Sequence, residues 1–195
     1  RFAADGPWVD QAWKPRVGKP TGHKVAVVGS GPAGLSAAHD LMLRGHEVTL
    51  FEALAVLGGM LRVGVPEYRL PKEVVDDEIK AIADLGLTVK TEVAIGRDLT
   101  PSELIEQGFE AVFVAIGAHD DRKLNIPGED TLEGVLSAVS FLRSVNLKEK
   151  LSVPDKVIVV GGGNTAVDSA RSAVRMGAES VSLLYRRSKE EMPAS

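Results

Sequence analysis

Two glycine-rich stretches have the residue types and the spacing that bind the phosphates of a dinucleotide. They are VVGSGPAGL, with Gly29, Gly31 and Gly34, and VVGGGNTAV, with Gly161, Gly163 and Ala166. In such a pattern the first glycine permits a tight turn after a strand, and the second lets a pyrophosphate approach the backbone. The small third residue lets the following helix lie close to the sheet, and the first N–H groups of that helix can face the phosphates.

The residues near the end of the strand after each glycine-rich stretch have opposite charges. Glu52 follows the first stretch at about the 20-residue distance expected for an acid that binds ribose hydroxyls. Arg186 and Arg187 stand close to the corresponding place after the second stretch, and guanidinium groups bind phosphate oxygens bidentately. The second site is therefore predicted to prefer NADP(H) over NAD(H). The alternatives are a merely solvated Glu52 and a solvated basic strand end.

Three other positions are candidates, each with a simpler alternative. A glycine pair ending at Gly59 suits close approach of the backbone to a flat ring or a phosphate, or forms an ordinary turn. Arg69 faces a phosphate or pairs with Glu67. Gly117 closes a buried strand, next to a ligand or as a plain strand end. Asp168 is predicted on a solvated helix face. The four histidines have no metal-ligand spacing.

The composition of the 195 residues limits the chemistry further. With 44% apolar residues the chain can bury a substantial core, and its net charge of −4 has 23 basic and 27 acidic residues well mixed. We therefore predict no nucleic-acid partner and no membrane partner. The sequence has no cysteine, so a redox disulfide or thiolate ligands of an iron–sulfur cluster are excluded within it. The absence of cysteine fits a cytoplasmic protein.

Apolar runs and helical periodicity alternate along the chain. Strands are predicted at 25–28, 48–51, 87–93, 111–116 and from 157, with helices at 33–44, from about 71, from 101 and at 137–145. Alternation of this kind predicts a parallel sheet with helices on both faces. Together with the two glycine-rich stretches it indicates an α/β fold with two Rossmann-like dinucleotide-binding domains. Residues 1–23, rich in proline and glycine, are predicted to be an extended arm or linker.

Longer runs of residues resemble one family of flavoproteins. The runs GGMLRVGVPEYRLPKEV, GGGNTAVD and YRRSKEEMPA are similar to the glutamate synthase small (beta) subunit family, and the resemblance covers Lys24 to Ser195. Related flavoproteins are the large subunit of the NADH-dependent ferredoxin:NADP oxidoreductase and the amino-terminal half of dihydropyrimidine dehydrogenase. The resemblance implies an FAD domain interrupted by an inserted NADP domain. It places the FAD domain at 24–150 and the start of the NADP domain at 151–195, both incomplete in this sequence.

The resemblance also implies cofactor contacts. For FAD they are Gly31, Pro32, Ala33, Glu52, Gly59, Met60, Leu61, Arg69 and Val93, and for NADP(H) they are Gly163, Asn164, Thr165, Arg186 and Arg187. It implies [4Fe-4S] clusters in a cysteine-rich segment before this sequence or in a partner. The partner would be a redox subunit of the glutamate synthase large-subunit type or linked to ferredoxin.

The predicted function is transfer of electrons from NADPH through FAD to iron–sulfur clusters and a partner subunit. Because cofactors carry such chemistry, no catalytic acid, base or nucleophile is expected among the side chains. Three alternatives remain open from the sequence. They are a subunit of an electron-bifurcating complex, a non-catalytic nucleotide-binding scaffold in a larger redox complex, and a flavin-free dehydrogenase.

Overall fold

A parallel four-stranded sheet organises the first part of the computed structural model, which describes residues 16–194. Its strands are β1 (Lys24–Val28), β2 (Glu47–Phe51), β3 (Thr88–Lys90) and β4 (Ala111–Val114), in the spatial order β3-β2-β1-β4. β1 pairs in parallel with β2 and β4, and β2 pairs in parallel with β3. The carboxyl ends of β1, β2 and β4 therefore lie at one edge, where the first glycine-rich stretch begins.

Helices cover both faces of this sheet. They are α1 (Pro32–Leu43), α2 (Gly59–Val63), α3 (Lys72–Ala83) and α4 (Pro101–Glu106). Val27 of β1 belongs to a core with residues of α1 and α3, whereas Ala26 belongs to a second core with Leu104 of α4. Successive strand residues point to opposite faces, so an almost continuously apolar strand is what a sheet covered on both faces requires.

A second parallel sheet contains the other glycine-rich stretch. It consists of β5 (Lys156–Val160) and β6 (Ser180–Leu184), with α6 (Asn164–Arg175) between them in sequence. Helix α6 contacts both strands and also α5 (Ala138–Asn146), which in turn contacts α2. Apolar residues of these strands are exposed, including Ile158 and Leu184. A short 3₁₀ turn, Lys189–Glu191, follows β6.

Local signals explain where several elements begin and end. Thr100 and Glu103 form the predicted capping box at the start of α4. Gly45 follows α1 with a φ of +88°, the left-handed conformation that ends many helices. Glu92 has a φ of +60°, which is incompatible with a continuing strand, so β3 is shorter than the predicted 87–93. Helix α2, directly after the glycine pair, was not predicted.

The predicted arm is described only in part. Residues 1–15 lie outside the described residues, and residues 16–23 form neither helix nor strand. The N–H groups of Gly18 and Thr21 donate to the carbonyls of Leu43 and Gly45 over 2.8 and 3.0 Å. Between residues 16 and 194, no helix is both long and apolar enough to cross a membrane. The same residues contain no cluster of metal-ligating side chains.

Candidate dinucleotide-binding sites

The first glycine-rich turn is closely packed on one side and open on the other. A Cβ at Gly29 would lie 2.4 Å from the Ala115 carbonyl oxygen, and one at Gly34 would lie 1.9 Å from the Gly29 oxygen. At Gly31, the N-cap of α1, a Cβ would meet no described atom within 4 Å. Within the described part of the chain no side chain caps α1, so its first N–H groups are available to an anion.

Glu52 is held against this turn at the end of β2. Its carboxylate is buried and accepts hydrogen bonds from the Ser30 N–H at 2.9 Å, the Ser30 hydroxyl at 2.5 Å and the Leu54 N–H at 2.9 Å. Three donors compensate the burial of this charge, since hydrogen bonds to a carboxylate are the stronger kind. The solvated alternative for Glu52 is therefore wrong.

The glycine pair completes the same cluster. The Gly58 N–H donates to both the carbonyl and the hydroxyl oxygen of Ser30, each at 3.1 Å. A Cβ at Gly59 would lie 2.7 Å from the Gly31 Cα. Close backbone approach, one of the two alternatives for this pair, is thus observed, and it is an approach to the glycine-rich turn. Ser30, which sequence reasoning missed, connects the turn, Glu52 and the glycine pair.

The other predicted FAD contacts lie around this cluster. Pro32 and Ala33 form the exposed first turn of α1, and Met60 and Leu61 belong to α2. The Val93 N–H donates to the Glu52 carbonyl over 3.0 Å. Gly117 lies three residues after the end of β4. The carbonyl of Ala115, which lies between them in sequence, is the group that packs against Gly29. The fold brings these positions to the carboxyl edge of the first sheet, where ligands of open α/β sheets bind.

The second glycine-rich turn has a similar backbone but different neighbours. Gly161 has a φ of +139°, and Gly163 is the N-cap of α6 with no described atom within 4 Å of an added Cβ. Ala166 occupies the third position and is buried. A Cβ at Gly162 would lie 2.6 Å from the Tyr185 ring, so an aromatic ring stands where the first turn has Ser30 and its carboxylate partner.

The two arginines after β6 are on the surface. Both Arg186 and Arg187 are exposed, and a guanidinium nitrogen of Arg187 lies 3.8 Å from a carboxylate oxygen of Glu191. The short turn that carries Glu191 folds back toward the second glycine-rich stretch, because the Ala194 N–H donates to the Gly162 carbonyl at 3.1 Å. The arginines are thus accessible to a ligand phosphate, with Glu191 as a weak competitor for Arg187.

Predicted contacts for the two cofactors line one cavity. This cavity of about 280 Å³ is bounded by Met60 and Arg69 from the first group, and by Asn164 and Thr165 from the second. Asp168 also lines it. The two sets of residues are far apart in sequence, and only the packing of α6 and α5 against the first sheet's helices brings them together.

The structure corrects two predictions at this cavity. Asp168 is 6% exposed rather than solvated, and its Oδ1 accepts a hydrogen bond from the Tyr68 hydroxyl at 3.0 Å. Arg69 pairs with Asp168 rather than with Glu67, with Nε 2.6 Å from the same Oδ1. Among the described residues the Nε–H of Arg69 has no hydrogen-bond partner, so its contact with Asp168 is electrostatic. Asp168 lies four residues after Asn164, so the two residues share one face of α6. This spacing could have predicted that Asp168 lies near the proposed NADP(H) contacts.

A family model for pyridine nucleotide-disulphide oxidoreductases matches residues 23–194. The chain belongs to this family. These 195 residues contain no cysteine, so none of them can form the disulphide in the family's description.

Curated relatives of this family member carry different names. It is 51% identical to the NADP(+)-dependent formate dehydrogenase subunit beta of Moorella thermoacetica, over 89% of this chain and 25% of that protein. It is 44% identical to the NADPH-Fe(3+) oxidoreductase subunit beta of Geobacter sulfurreducens, over 100% and 30%. It is 37% identical to the glutamate synthase [NADPH] small chain of Azospirillum brasilense, over 100% and 43%. The chain spans less than half the length of these relatives. The predicted resemblance to glutamate synthase small subunits is confirmed.

A solved family relative has the same architecture. FprA from Mycobacterium tuberculosis in complex with NADPH matches with a TM-score of 0.73 and 27% identity, over 91% of this chain and 46% of that one. The predicted α/β fold is confirmed by this match and by the two parallel sheets.

Proposed function

We propose that this chain is part of a flavoprotein oxidoreductase subunit that passes electrons from NADPH through FAD to iron–sulfur clusters and a partner subunit. Several kinds of evidence support this proposal. The family is one of oxidoreductases, and three relatives have NADPH or NADP(+) in their names. The chain itself offers two dinucleotide-type turns whose nearby charges differ in sign.

The observation that carries the proposal is the shared cavity. Met60 and Arg69, proposed contacts of FAD, line the same space as Asn164 and Thr165, proposed contacts of NADP(H). Direct reaction between two bound cofactors requires their reactive rings to lie about 3–3.5 Å apart. Two separate nucleotide sites on a scaffold would not need a common cavity, so this arrangement favours an enzyme over a scaffold.

The residues of the first turn fit an FAD. Gly31 leaves room for a pyrophosphate against the N-terminus of α1. Glu52 is held in place by Ser30 and Leu54, and a fixed carboxylate can accept hydrogen bonds from ribose hydroxyls. When bound, FAD supplies the conversion between the two-electron donor NADPH and one-electron acceptors. The chain's own residues bind and orient the cofactors.

The residues of the second turn fit NADP(H). Gly163 leaves the same room at the N-terminus of α6, and Arg186 and Arg187 are exposed near the end of β6, where the ribose of a bound dinucleotide lies. Two guanidinium groups favour a ribose phosphate over a free hydroxyl. NADPH would be oxidised to NADP⁺ by passing a hydride from its nicotinamide to the FAD, and the residues of the shared cavity would hold the two cofactors for that transfer.

The partner is proposed from the names of the relatives, and the clusters from the family resemblance of the sequence. One relative is named as a glutamate synthase small chain, and two others are named as beta subunits. We propose a redox partner subunit of the glutamate synthase large-subunit type, with [4Fe-4S] clusters held by residues other than those of this cysteine-free sequence. The cytoplasmic location stays a prediction.

An anaerobic titration of the full-length protein tests the function. The flavin absorption band is followed while NADPH, and in a separate sample NADH, is added. We expect NADPH to bleach the band at low concentration and NADH to do so only at much higher concentration. A protein purified without flavin, or a flavin that neither nucleotide bleaches, would contradict the proposal and favour the dehydrogenase or the scaffold alternative.

A further inference from the structure

Asp168 connects the helix of the second nucleotide-binding turn to a segment that follows the first turn. It belongs to α6, whose N-terminus carries the second turn. Two of its partners, Tyr68 and Arg69, belong to the segment that joins α2 to α3. That segment follows α2, which contains Met60 and Leu61, the proposed flavin contacts. A single buried carboxylate therefore ties the flavin side of the cavity to the nicotinamide side.

Three residues of α6 contact Tyr68. Asp168 accepts a hydrogen bond from the Tyr68 hydroxyl. The guanidinium carbons of Arg171 and Arg175 lie 4.4 and 4.1 Å from the centre of the Tyr68 ring. The spacing i, i+3 and i+7 places all three on one face of the helix. Cation–π contacts add to the hydrogen bond. Residues from two turns of α6 thus contact Tyr68. These contacts fix both the rotation of α6 about its axis and its distance from the segment that carries Tyr68.

Asp168 supplies a carboxylate to a cluster that also contains the guanidinium groups of Arg69, Arg171 and Arg175. Arg69 brings a positive charge to the cavity wall, and the buried Asp168 carboxylate is its counter-charge. Burial raises the pKa of Tyr68, and the hydrogen bond and the charge of Asp168 raise it further, while Arg171 and Arg175 lower it. The phenol therefore stays protonated and donates to Asp168. Removal of the carboxylate would leave a cation without its partner, the change that most disrupts a buried pair.

We propose that Asp168 is a positioning residue, which holds the nicotinamide site of α6 in register with the flavin site through Tyr68 and Arg69. This inference rests on the proposed function. It goes beyond that function because it assigns the geometry between the two cofactors to one cluster outside both glycine-rich turns. Since Asp168 adjoins Asn164 and Thr165 on α6, a rotation of the helix would shift the bound nicotinamide while leaving the phosphate contacts of Arg186 and Arg187 in place.

The test compares Asp168→Asn and Tyr68→Phe with the unchanged full-length holoprotein under anaerobic conditions. Stopped-flow measurements give the rate of flavin bleaching at saturating NADPH and the apparent Kd for NADPH. Displacement of reacting atoms by about 1 Å can lower a rate on the order of 100-fold. We expect a loss of that order for Asp168→Asn, a smaller loss for Tyr68→Phe, and a change in Kd below about threefold for both.

A spectroscopic signature separates positioning from a general loss of folding. Stacking of a nicotinamide on a flavin gives a long-wavelength charge-transfer band, and we expect both variants to weaken that band. The control is Asp84→Asn, which breaks the exposed Lys80–Asp84 pair on α3 and should leave the rate and the band unchanged. Equal bleaching rates in Asp168→Asn and the unchanged protein would overturn the inference while the proposed function still stood.

Amide hydrogen exchange tests the same cluster without any redox reaction. We expect Asp168→Asn to speed exchange about tenfold in residues 64–71 and in α6, and Asp84→Asn to leave both segments unchanged. If the unchanged protein fails to bleach with NADPH, the proposed function fails, and this measurement still decides whether Asp168 joins the two segments. Unaltered exchange in both segments would show that it does not.

Discussion

The two glycine-rich turns share a backbone and differ in what surrounds it. Each begins with a glycine of positive φ, ends in an extended N-cap glycine, and opens a twelve-residue helix. In the first turn Ser30 stands between the glycines and binds the Glu52 carboxylate. In the second turn Gly162 stands there and lies against the Tyr185 ring. The backbone thus provides a phosphate site in both, and the neighbouring side chains decide which dinucleotide fits.

The third position shows that the first turn is also the tighter one. A Cβ at Gly34 would lie 1.9 Å from the Gly29 carbonyl oxygen, whereas the second turn accommodates the methyl group of Ala166. A tight turn that side-chain hydrogen bonds hold in place suits a cofactor that stays bound, and a looser turn suits a nucleotide that must exchange. Substitutions in the two turns test this difference, beginning with the largest expected effect.

Gly34→Ala should be the most damaging change. The added methyl group would overlap the Gly29 carbonyl, so either α1 or the turn must shift, and overpacking of this kind costs about 3 kcal/mol at its upper end. We expect the free energy of unfolding to fall by about that amount and most of the FAD to be lost. Denaturant unfolding and the flavin-to-protein absorbance ratio measure the two effects.

The matched change in the second turn is Ala166→Gly. It removes a buried methyl group instead of adding one, so helix propensity and the burial of one methyl group should be lost, about 1 kcal/mol each. Normal FAD content and stability in Gly34→Ala would show that the first turn is not constrained in the way the structure indicates.

Replacement of both Arg186 and Arg187 by alanine should have the next largest effect. Loss of charge-assisted hydrogen bonds to a ribose phosphate should weaken NADPH on the order of 100-fold. NADH, which lacks that phosphate, should weaken only slightly. Dissociation constants for both nucleotides come from anaerobic titration.

The control for charge is the double variant Arg97→Ala and Lys80→Ala, which removes two exposed cations paired elsewhere. It should leave the preference for NADPH over NADH unchanged. An equal loss of affinity for NADPH and NADH in the arginine variant would sink the phosphate assignment.

Ser30→Ala should weaken FAD binding about tenfold, the effect of losing a good hydrogen bond to a charged group. The change removes the 2.5 Å hydrogen bond to Glu52 and one of the two acceptors of the Gly58 N–H. Fluorescence of released flavin on dilution measures the affinity. Ser144→Ala, which breaks a surface hydrogen bond to Glu149, is the matched control and should not alter FAD binding. Unchanged affinity in Ser30→Ala would mean that the backbone N–H groups of residue 30 and Leu54 hold Glu52 without the hydroxyl.

Much of this fold could be read from the sequence because its signals are local. Apolar runs, glycine spacing and the Thr100–Glu103 capping box each act within one or two turns of chain. They predicted the parallel α/β architecture and most helix starts. Strand ends were less predictable, since a single residue with positive φ, such as Glu92, ends β3.

The contacts that define the site were less visible. Ser30 lies between two glycines and gives no signal of its own, and its importance comes from Glu52 and Gly58, which meet it only in the folded chain. Asp168 was assigned to a solvated face because its partners, Tyr68 and Arg69, are about a hundred residues earlier in the sequence. Long-range pairing of this kind follows from how the elements pack, which local patterns do not encode.

Glu191→Gln tests a weak local contact, between residues four positions apart in the sequence, and should have the smallest effect. Glu191 lies 3.8 Å from Arg187, and both side chains are about half exposed, at 53% and 51%. Exposed pairs of this kind contribute about 0–1 kcal/mol, so freeing Arg187 should tighten NADPH about two- to threefold without affecting NADH. Glutamine keeps an oxygen that can accept from the Ser188 N–H, which Glu191 now does at 3.1 Å.

Salt dependence separates the possible causes of such a gain. At high ionic strength the Arg187–Glu191 attraction is screened, so the advantage of Glu191→Gln should shrink as salt is added. Glu190→Gln removes the same charge from the neighbouring residue, and Glu190 forms no ion pair with Arg187 among the described residues. If Glu190→Gln tightened NADPH equally, the gain would come from net charge near the phosphate. If neither variant changed affinity, Glu191 would not compete with the phosphate for Arg187, as expected for an exposed pair at the lower end of this range.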